Sequence, residues 1–298
     1  MTPRVVAVVL NWCGEEDTTA CVASLLASAY GALEIVLVDN GSPDGSGERL
    51  RARFPALPFI QTGANRGYTG GNNRGIEAAL GREADYVLVL TNDTVVEPDA
   101  VRRLVVAAER SAAAGARVGA AGPKILYHDE PGRTWFAGGE LLGIRIMGRH
   151  LGEGEPDTGG GGGGGEGGGV PVTFLTGCCL LLPATVVREQ GAFDESLFAY
   201  LEDVELGIRL AGAGYTLLYV PDARIRHRVA RGRGRETPFQ VYLRERNRVR
   251  VMRKHYRGLA KARFYLFFVP SRLVRTAQYL ARGRVAHAVS IWKGALGA

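Results

Sequence analysis

The sequence predicts an α/β protein whose mainly parallel sheet carries helices on both faces. The runs 5–10, 34–39 and 86–90 are continuously apolar rather than alternating, as strands buried on both faces must be. Helical stretches separate them at the spacing of strand–helix–strand units. Two of these strands end close to a carboxylate, Asp39 and Asp93. In open α/β sheets the ligand crevice lies outside such strand ends.

Strand 5–10 ends at Asn11, and a helix over 15–29 follows with Val22, Leu25 and Leu26 on one face. After strand 34–39, Asn40-Gly-Ser-Pro-Asp-Gly-Ser46 is rich in turn residues. A short helix over 48–54 and a short strand over 58–61 precede Asn65-Arg-Gly-Tyr-Thr-Gly-Gly-Asn-Asn-Arg-Gly75, which runs into a helix through Leu80. Strand 86–90 stops at Thr91-Asn92-Asp93, and a helix covers 98–114. Residues 120–127 read as a further strand, and 134–151 as a β-rich excursion turning at Gly138-Gly139. Segment 153–169 is almost all glycine and acid, so it is expected to be a flexible loop. Order resumes over 172–182, and 193–203 leads into a helix at 204–213. A last core strand is expected at 216–220, with a short return at 223–227. Beyond an Arg/Gly linker at 228–235, helices are expected near 238–256 and 258–282, the second kinked or split at Pro270.

The 298 residues suit one large domain, or a domain over 1–227 with a helical appendage over 228–298. No run approaches the roughly 18 apolar residues of a membrane span. The first strand starts without a cleavage-type leader, which makes a cytoplasmic protein the expectation. Cys13, Cys21, Cys178 and Cys179 form no CxxC pair and no zinc spacing, so buried free thiols are expected. The net charge of +7 is unevenly spread: 20 of the 37 basic residues lie from Arg224 onward, against two of the 30 acidic ones, Glu236 and Glu245. A basic tail of this kind seeks phosphates on nucleic acid or on an anionic membrane.

The residues able to do chemistry each carry a plainer reading beside the functional one. Asp39 can accept from a nucleobase N–H or simply start an Asx-type turn. Asp93, beside Asn92 and Thr94, can seat Mg²⁺ or Mn²⁺ together with a diphosphate, or cap the following helix. Arg66, Asn72, Asn73 and Arg74 sit on a glycine-rich loop opening a helix, where phosphates bind, yet the loop fits neither GxxxxGK[ST] nor GxGxxG. Glu202-Asp203 can supply a general base, or favour a helix dipole. His227 can ligate a metal, or be an ordinary polar residue.

Taken together, Val-Val-Leu-Asn-Trp12, Ile-Val-Leu-Val-Asp-Asn-Gly-Ser42, the Asn65–Gly75 loop, Leu-Thr-Asn-Asp-Thr94, Thr-Gly-Cys178 and Leu-Glu-Asp203 resemble family 2 glycosyltransferases, most closely their rhamnosyltransferase-like branch. The likeness covers about residues 4–227, in the family's order and spacing. It implies a GT-A fold, a nucleotide-sugar donor (dTDP-rhamnose or a UDP-sugar), Mn²⁺ or Mg²⁺, and inversion at the anomeric carbon. Residue by residue, it implies that Asp39 binds the pyrimidine ring and that Asn11, Asn40, Asn65, Arg66, Gly67, Asn72 and Asn92 belong to the donor site. Asp93 is then the metal-binding acid, Asp203 the catalytic base and Glu202 its neighbour at the acceptor, while His227 matches a histidine metal ligand of related galactofuranosyltransferases. Asn92 stands where many members carry a second acid, and the glycine run 159–165 has no counterpart.

The acceptor implied is a saccharide or a lipid-linked one. The tail fits that expectation: 238–256 sets Arg244, Arg248 and Lys254 among Val241, Val249, Val251 and Met252, and 264–269 adds an apolar block before Arg272 and Arg275. This pattern reads as peripheral contact with an anionic membrane, at the inner face of the plasma membrane; packing on the catalytic domain, or a homo-oligomer contact, is the plainer reading. A sugar-1-phosphate nucleotidyltransferase would want a basic glycine-rich loop after the first strand, where Asn11-Trp-Cys-Gly-Glu-Glu16 is acidic. A nucleic-acid binder would leave the four acids unexplained, so no nucleic-acid partner is expected.

Overall fold

A computed structural model of the chain describes residues 1–159, 167–229 and 236–298. The first half alternates β1 (Val5–Asn11), α1 (Glu15–Leu26), β2 (Leu33–Asp39), α2 (Ser46–Arg53), β3 (Phe59–Gln61), α3 (Gly67–Gly81) and β4 (Tyr86–Thr91). Val5 to Val9 and Val87 to Leu90 are buried throughout, as continuous apolar runs require. β1 lies between β2 and β4, parallel to both, and β3 extends the sheet parallel to β2. Parallel neighbours need crossovers, which the intervening helices supply. Part of the glycine-rich stretch serves this packing. A Cβ at Gly75 of α3 would lie 2.1 Å from a Val8 methyl and 3.1 Å from one of Val38, so the helix rests directly on the sheet.

The chain continues through β5 (Thr94–Val96), α4 (Ala100–Ala113), β6 (Val118–Tyr127), β7 (Thr134–Phe136), β8 (Gly139–Leu142), β9 (Met147–His150), β10 (Val170–Val172), β11 (Cys179–Pro183), α5 (Ala184–Gln190), α6 (Glu202–Gly212) and β12 (Thr216–His227). The main sheet runs β10-β12-β6-β11-β4-β1-β2-β3, with β5 on β12 and β7 on β6; β8 and β9 form a separate hairpin. β11 is antiparallel to β4 and β6, so the sheet is mixed at its middle. The strand and return expected at 216–220 and 223–227 are one strand. β12 keeps its parallel partner β6, which extends to Tyr127, and absorbs residues 221–223 as a bulge between Val220 and Arg224. β5, absent from the expectation, pairs Thr94 with His227 at the end of β12.

The flexible-loop expectation for 153–169 needs correction at its flanks, and residues 160–166 lie outside the described residues. Lys124 is buried on β6 and requires a counter-charge; Asp157 supplies it at 3.0 Å and also meets Arg224 at 3.1 Å. The Gly167 amide donates to Asp222. Of the four free cysteines, Cys13 is exposed, contrary to expectation, because it sits in the turn after β1 at a φ of 54°.

Three helices follow: α7 (Pro238–His255), α8 (Gly258–Ala281) and α9 (Val285–Leu296). Residues 230–235 of the linker lie outside the described residues. Thr237 and Gln240 cap α7 reciprocally, with Pro238 in its first turn. Val241, Val249, Val251 and Met252 are buried within the protein, and Phe239 is the large apolar side chain that α7 exposes. α8 is one helix with Pro270 inside it, not two, its inner side carrying Phe264, Phe268 and Arg272. α9 was not anticipated; Ala288 and Ile291 pack it against Val241 and Tyr279.

Gly75→Ala tests the contact of α3 with the sheet. The helix gains up to ~1 kcal/mol of propensity, but Val8 is β-branched and enclosed, so overpacking of about 1–3 kcal/mol prevails. Denaturant titration should show a net loss, whereas Gly81→Ala, with open space around its Cβ position, should be neutral or stabilising.

Candidate active site

The carboxyl edge of the sheet is organised by a buried carboxylate. Asp39 ends β2 and accepts four hydrogen bonds: from Asn11 Nδ2 at 2.7 Å, Ser42 Oγ at 2.6 Å, the Ser42 amide at 3.0 Å and Gln61 Nε2 at 2.8 Å. Burial works to raise its pKa, but the bonds from Ser42, Gln61 and Asn11 outweigh it and hold the carboxyl below its ordinary value. Asn11 Oδ1 accepts from the Gly14 amide and Thr18 Oγ1, and Thr18 Oγ1 accepts from Asn92 Nδ2 at 2.8 Å. The tips of β1, β2 and β4 are thereby joined through side chains. Asn40 braces the next loop, donating to Asn65 Oδ1 and the Gly67 carbonyl and accepting from the Arg66 amide. Arg66 itself is exposed, and Asn72 is buried in α3, donating to the Tyr68 carbonyl while its Oδ1 has no partner.

Beyond Thr91 the chain turns through Asn92-Asp93 into β5, and Thr94 Oγ1 closes the turn on the Thr91 carbonyl at 2.7 Å. The pairing of β5 with β12 sets Asp93 Oδ2 3.1 Å from His227 Nε2. Burial opposes the charge of each. His227 nonetheless holds Asp93 below its ordinary value, and Cys178 together with Asp93 pushes His227 up to about 10. Asp93 Oδ1 and His227 Nδ1 are buried without hydrogen-bond partners. Trp135 stands edge-on between His227 and His150, each ring 4.5 Å away. A separation of 3.1 Å is that of two adjacent donors on one ion with bonds of about 2.1–2.2 Å. Among the described residues no group of three or more His, Cys, Asp or Glu could hold a metal. Asp93 and His227 could therefore contribute at most two donors to a divalent ion.

Glu202 and Asp203 open α6 after a contorted approach in which Phe198, Tyr200 and Leu201 take φ values of 65°, 70° and 67°. Such strain persists only where the surroundings impose it. Here Asn247 of α7 donates to the carbonyls of Leu197, Ala199 and Tyr200 at 2.7–2.9 Å. Gly67, at a φ of 71°, passes so close to the Phe198 carbonyl that a Cβ would lie 2.3 Å from it. Asp203 accepts from the Gly177 amide at 3.0 Å and the Val204 amide at 2.8 Å, one on each oxygen, while Glu202 Oε2 is buried with no partner. Burial, then the charge of Asp203, pushes Glu202 up to about 8; burial also raises Asp203 against the pull of its two amides. The two titrate as a unit.

Two cavities meet at this edge. One, of about 560 Å³, is lined by Trp12, Asn40, Asn65, Gly67 and Asn92, with Phe239 of α7. The other, of about 740 Å³, holds Glu202, Asp203 and His227 together with Trp135, His150 and Cys178. Tyr68, Thr91, Ala199 and Tyr200 wall both. Sequence reasoning did not single out Tyr68, Trp135, His150 or Tyr200, and it directed Arg244 and Arg248 of α7 outward, whereas both line the larger cavity. The i, i+4 spacing of those two arginines, beside the tail's two acids, was the available signal.

Comparison with known proteins identifies the family. Residues 5–154 match the family described as glycosyl transferase family 2, and residues 165–296 match glycosyl transferase family group 2. The chain is 34% identical over 230 residues to the N-acetylglucosaminyl-diphospho-decaprenol L-rhamnosyltransferase of Mycobacterium tuberculosis, covering 72% of this chain and 73% of the relative. Among solved structures it is similar to GalNAc-T7 with UDP, GalNAc and Mn²⁺ (TM-score 0.66, 17% identity, 89% of this chain and half of the other). It is also similar to the mannosyltransferase PcManGT of Pyrobaculum calidifontis with GDP-Man and Mn²⁺ (TM-score 0.58, 15% identity, 99% of this chain and 87% of the other). With the GT-A fold and these family matches, the chain belongs to the family 2 glycosyltransferases, in their rhamnosyltransferase-like branch.

Proposed function

We propose that the protein is an inverting, metal-dependent glycosyltransferase that moves rhamnose or a similar sugar from a dTDP- or UDP-linked donor to a lipid-linked saccharide in cell-envelope glycan synthesis. The observation that carries this reading is that His227, paired with Asp93 at 3.1 Å, and the Glu202–Asp203 pair line one cavity that adjoins the Asn40–Asn65 cavity at the sheet edge. The acceptor class is suggested by the diphospho-decaprenol named for the mycobacterial relative.

The smaller cavity takes the nucleotide, with Asn40, Asn65 and Asn92 on its wall and Asp39 behind it. All four lone-pair positions of Asp39 are occupied, so a pyrimidine N–H must replace one donor; Gln61, exposed at the end of β3, is the one free to leave. Asp93 and His227 would hold Mn²⁺ or Mg²⁺, the imidazole being neutral when it ligates. A bound divalent ion supplies charge neutralisation for the leaving diphosphate. Asp203, aimed by the Gly177 and Val204 amides, takes the proton of the acceptor hydroxyl as its oxygen bonds to the anomeric carbon from the face opposite the diphosphate. The bond from that carbon to the diphosphate oxygen breaks, and the nucleoside diphosphate leaves with the bonding pair. Glu202 keeps the pair's shared proton near neutral pH, leaving Asp203 ionised.

The outer side of α8 supports membrane contact. Leu259, Leu266, Leu273 and Leu280 are exposed at seven-residue spacing, and Lys261, Arg263 and Arg282 flank them. Among the described residues no helix is long and apolar enough to cross a membrane. Arg244, Arg272 and Arg275 of the tail are paired with Glu236 and Glu245.

Calorimetry with UDP and dTDP should show binding that requires Mn²⁺ or Mg²⁺, and Asp93→Ala should abolish that requirement along with most of the affinity; metal-independent binding of equal strength in both proteins would sink the metal role. Asp203→Asn should bind donor normally and lose about 10²–10⁴-fold in transfer rate. Because burial raises both carboxylates, the parent's rate should fall on acidification from near-neutral pH. Glu202→Gln should leave that fall in place, since glutamine reproduces the neutral side chain that Asp203 already faces; a fall moved to another pH would show that Asp203, not Glu202, holds the shared proton. Leu266→Glu with Leu273→Glu should abolish sedimentation with vesicles containing anionic phospholipid while leaving nucleotide affinity intact, and undiminished sedimentation would rule out α8 as the contact.

A further inference from the structure

The only acidic residues of the chain from Arg224 onward, Glu236 and Glu245, both lie among arginines at one wall of the larger cavity. Glu245 is bound by both oxygens to Arg272, at 2.5 and 2.6 Å. Glu236 is shared by Arg244 at 2.6 Å, Arg275 at 3.0 Å and the Tyr279 hydroxyl. Arg248 is left over. Among the described residues its nearest carboxylate is Glu245 at 3.7 Å, already engaged by Arg272, and it also meets the Met147 sulfur at 3.4 Å. Its side chain is 12% exposed, and its Nε is buried without a partner. Burial, with the charges of Arg272, Arg275 and Arg244 against the attraction of Glu245, pushes its pKa down to about 10, still charged at neutral pH. Four arginines thus face two carboxylates, and a buried cation without a full counter-charge is costly unless an anion completes it.

Arg244, Arg248 and Arg275 line the cavity that contains Glu202 and Asp203. Arg275 also borders a second cavity, of about 370 Å³, walled by Arg272, Arg282 and Arg284 of α8 and its C-terminal turn. The cationic wall therefore joins the cavity of the carboxylate pair, through Arg275, to the helix whose outer side bears the exposed leucines.

We propose that Arg244, Arg248 and Arg275 form a subsite for the phosphate groups of the acceptor, so that the enzyme recognises a glycosyl diphosphate rather than a neutral glycoside. This rests on the glycosyltransferase reading of the same cavity. The guanidinium fork suits phosphate oxygens, and an anion there completes the charge of Arg248 only when acceptor is bound. Selectivity then follows from the cost of leaving Arg248 uncompensated beneath a neutral glycoside.

The test is calorimetric titration, with dTDP or UDP and Mn²⁺ held in excess, of decyl-diphosphate-linked N-acetylglucosamine and of neutral decyl N-acetylglucosaminide. The charged ligand should bind the parent protein more tightly than the neutral one. Arg248→Met should weaken the charged ligand by about 30-fold or more and leave the neutral ligand and the nucleotide unchanged. Arg244→Gln, at a half-exposed position, should act in the same direction and guards against a folding defect in the first variant. Equal binding of the two ligands to the parent, or variants that weaken nucleotide instead of the charged glycoside, would overturn the subsite and, in the second case, assign the arginines to the donor. Failure of both nucleotides to bind the parent would count against the transferase reading alone, because the contrast between charged and neutral ligand is still measured.

Discussion

The buried carboxylate of Asp39 is the constraint on which the nucleotide side of this protein depends. A charge removed from water must be fully hydrogen-bonded, and hydrogen bonds to a charged group are each worth roughly 1.5–3 kcal/mol. Its donors come from β1, from the loop after β2 and from β3, so satisfying one carboxylate fixes three segments relative to one another. Asn11 extends the network to the first turn of α1, and Thr18 extends it to Asn92 beside Asp93. The network thus reaches the residue next to Asp93, whose pairing with His227 is set by β5 against β12.

The strands of the first half, and the residues at their tips, were legible in the sequence because both signals are local. A parallel strand buried on two faces has to be continuously apolar, and a polar residue ending such a run has to stand at the sheet edge. What the sequence could not show was the purpose of a shared pattern. The glycine-rich stretch 65–75 reads as an anion loop, yet Gly75 is there to let α3 touch Val8. Segment 153–169 reads as unstructured from composition, yet Asp157 within it answers a buried lysine 33 residues earlier. The 216–227 segment reads as a strand and a return, since a bulge and a turn use the same residue types.

The tail shows the same limit in another form. Periodicity establishes that α7 has an apolar side but not what covers it. The helix turns Val241, Val249, Val251 and Met252 into the protein, and its Arg244 and Arg248 line a cavity, Arg244 also meeting Glu236. On α8 the two sides separate: Phe264, Phe268 and Arg272 face inward while leucines recur outside. The residues that line both cavities, such as Tyr68 and Tyr200, carried no sequence signal because a wall is defined by what lies across from it.

The contorted run 198–201 has a consequence for how the protein comes into being. Its three left-handed residues are held from opposite ends of the chain, by Gly67 on one side and by Asn247 on the other. The network around Asp39 closes with residues that all precede position 93, so the tips of β1, β2 and β4 have their own internal support early in synthesis. The carboxylates at 202 and 203 acquire their fixed orientation only when α7 has been made and has docked. The strand tips around Asp39 can therefore be ordered before Glu202 and Asp203 are, whereas the cavity beside them is complete only when the 198–200 run and Phe239 of α7 have closed it.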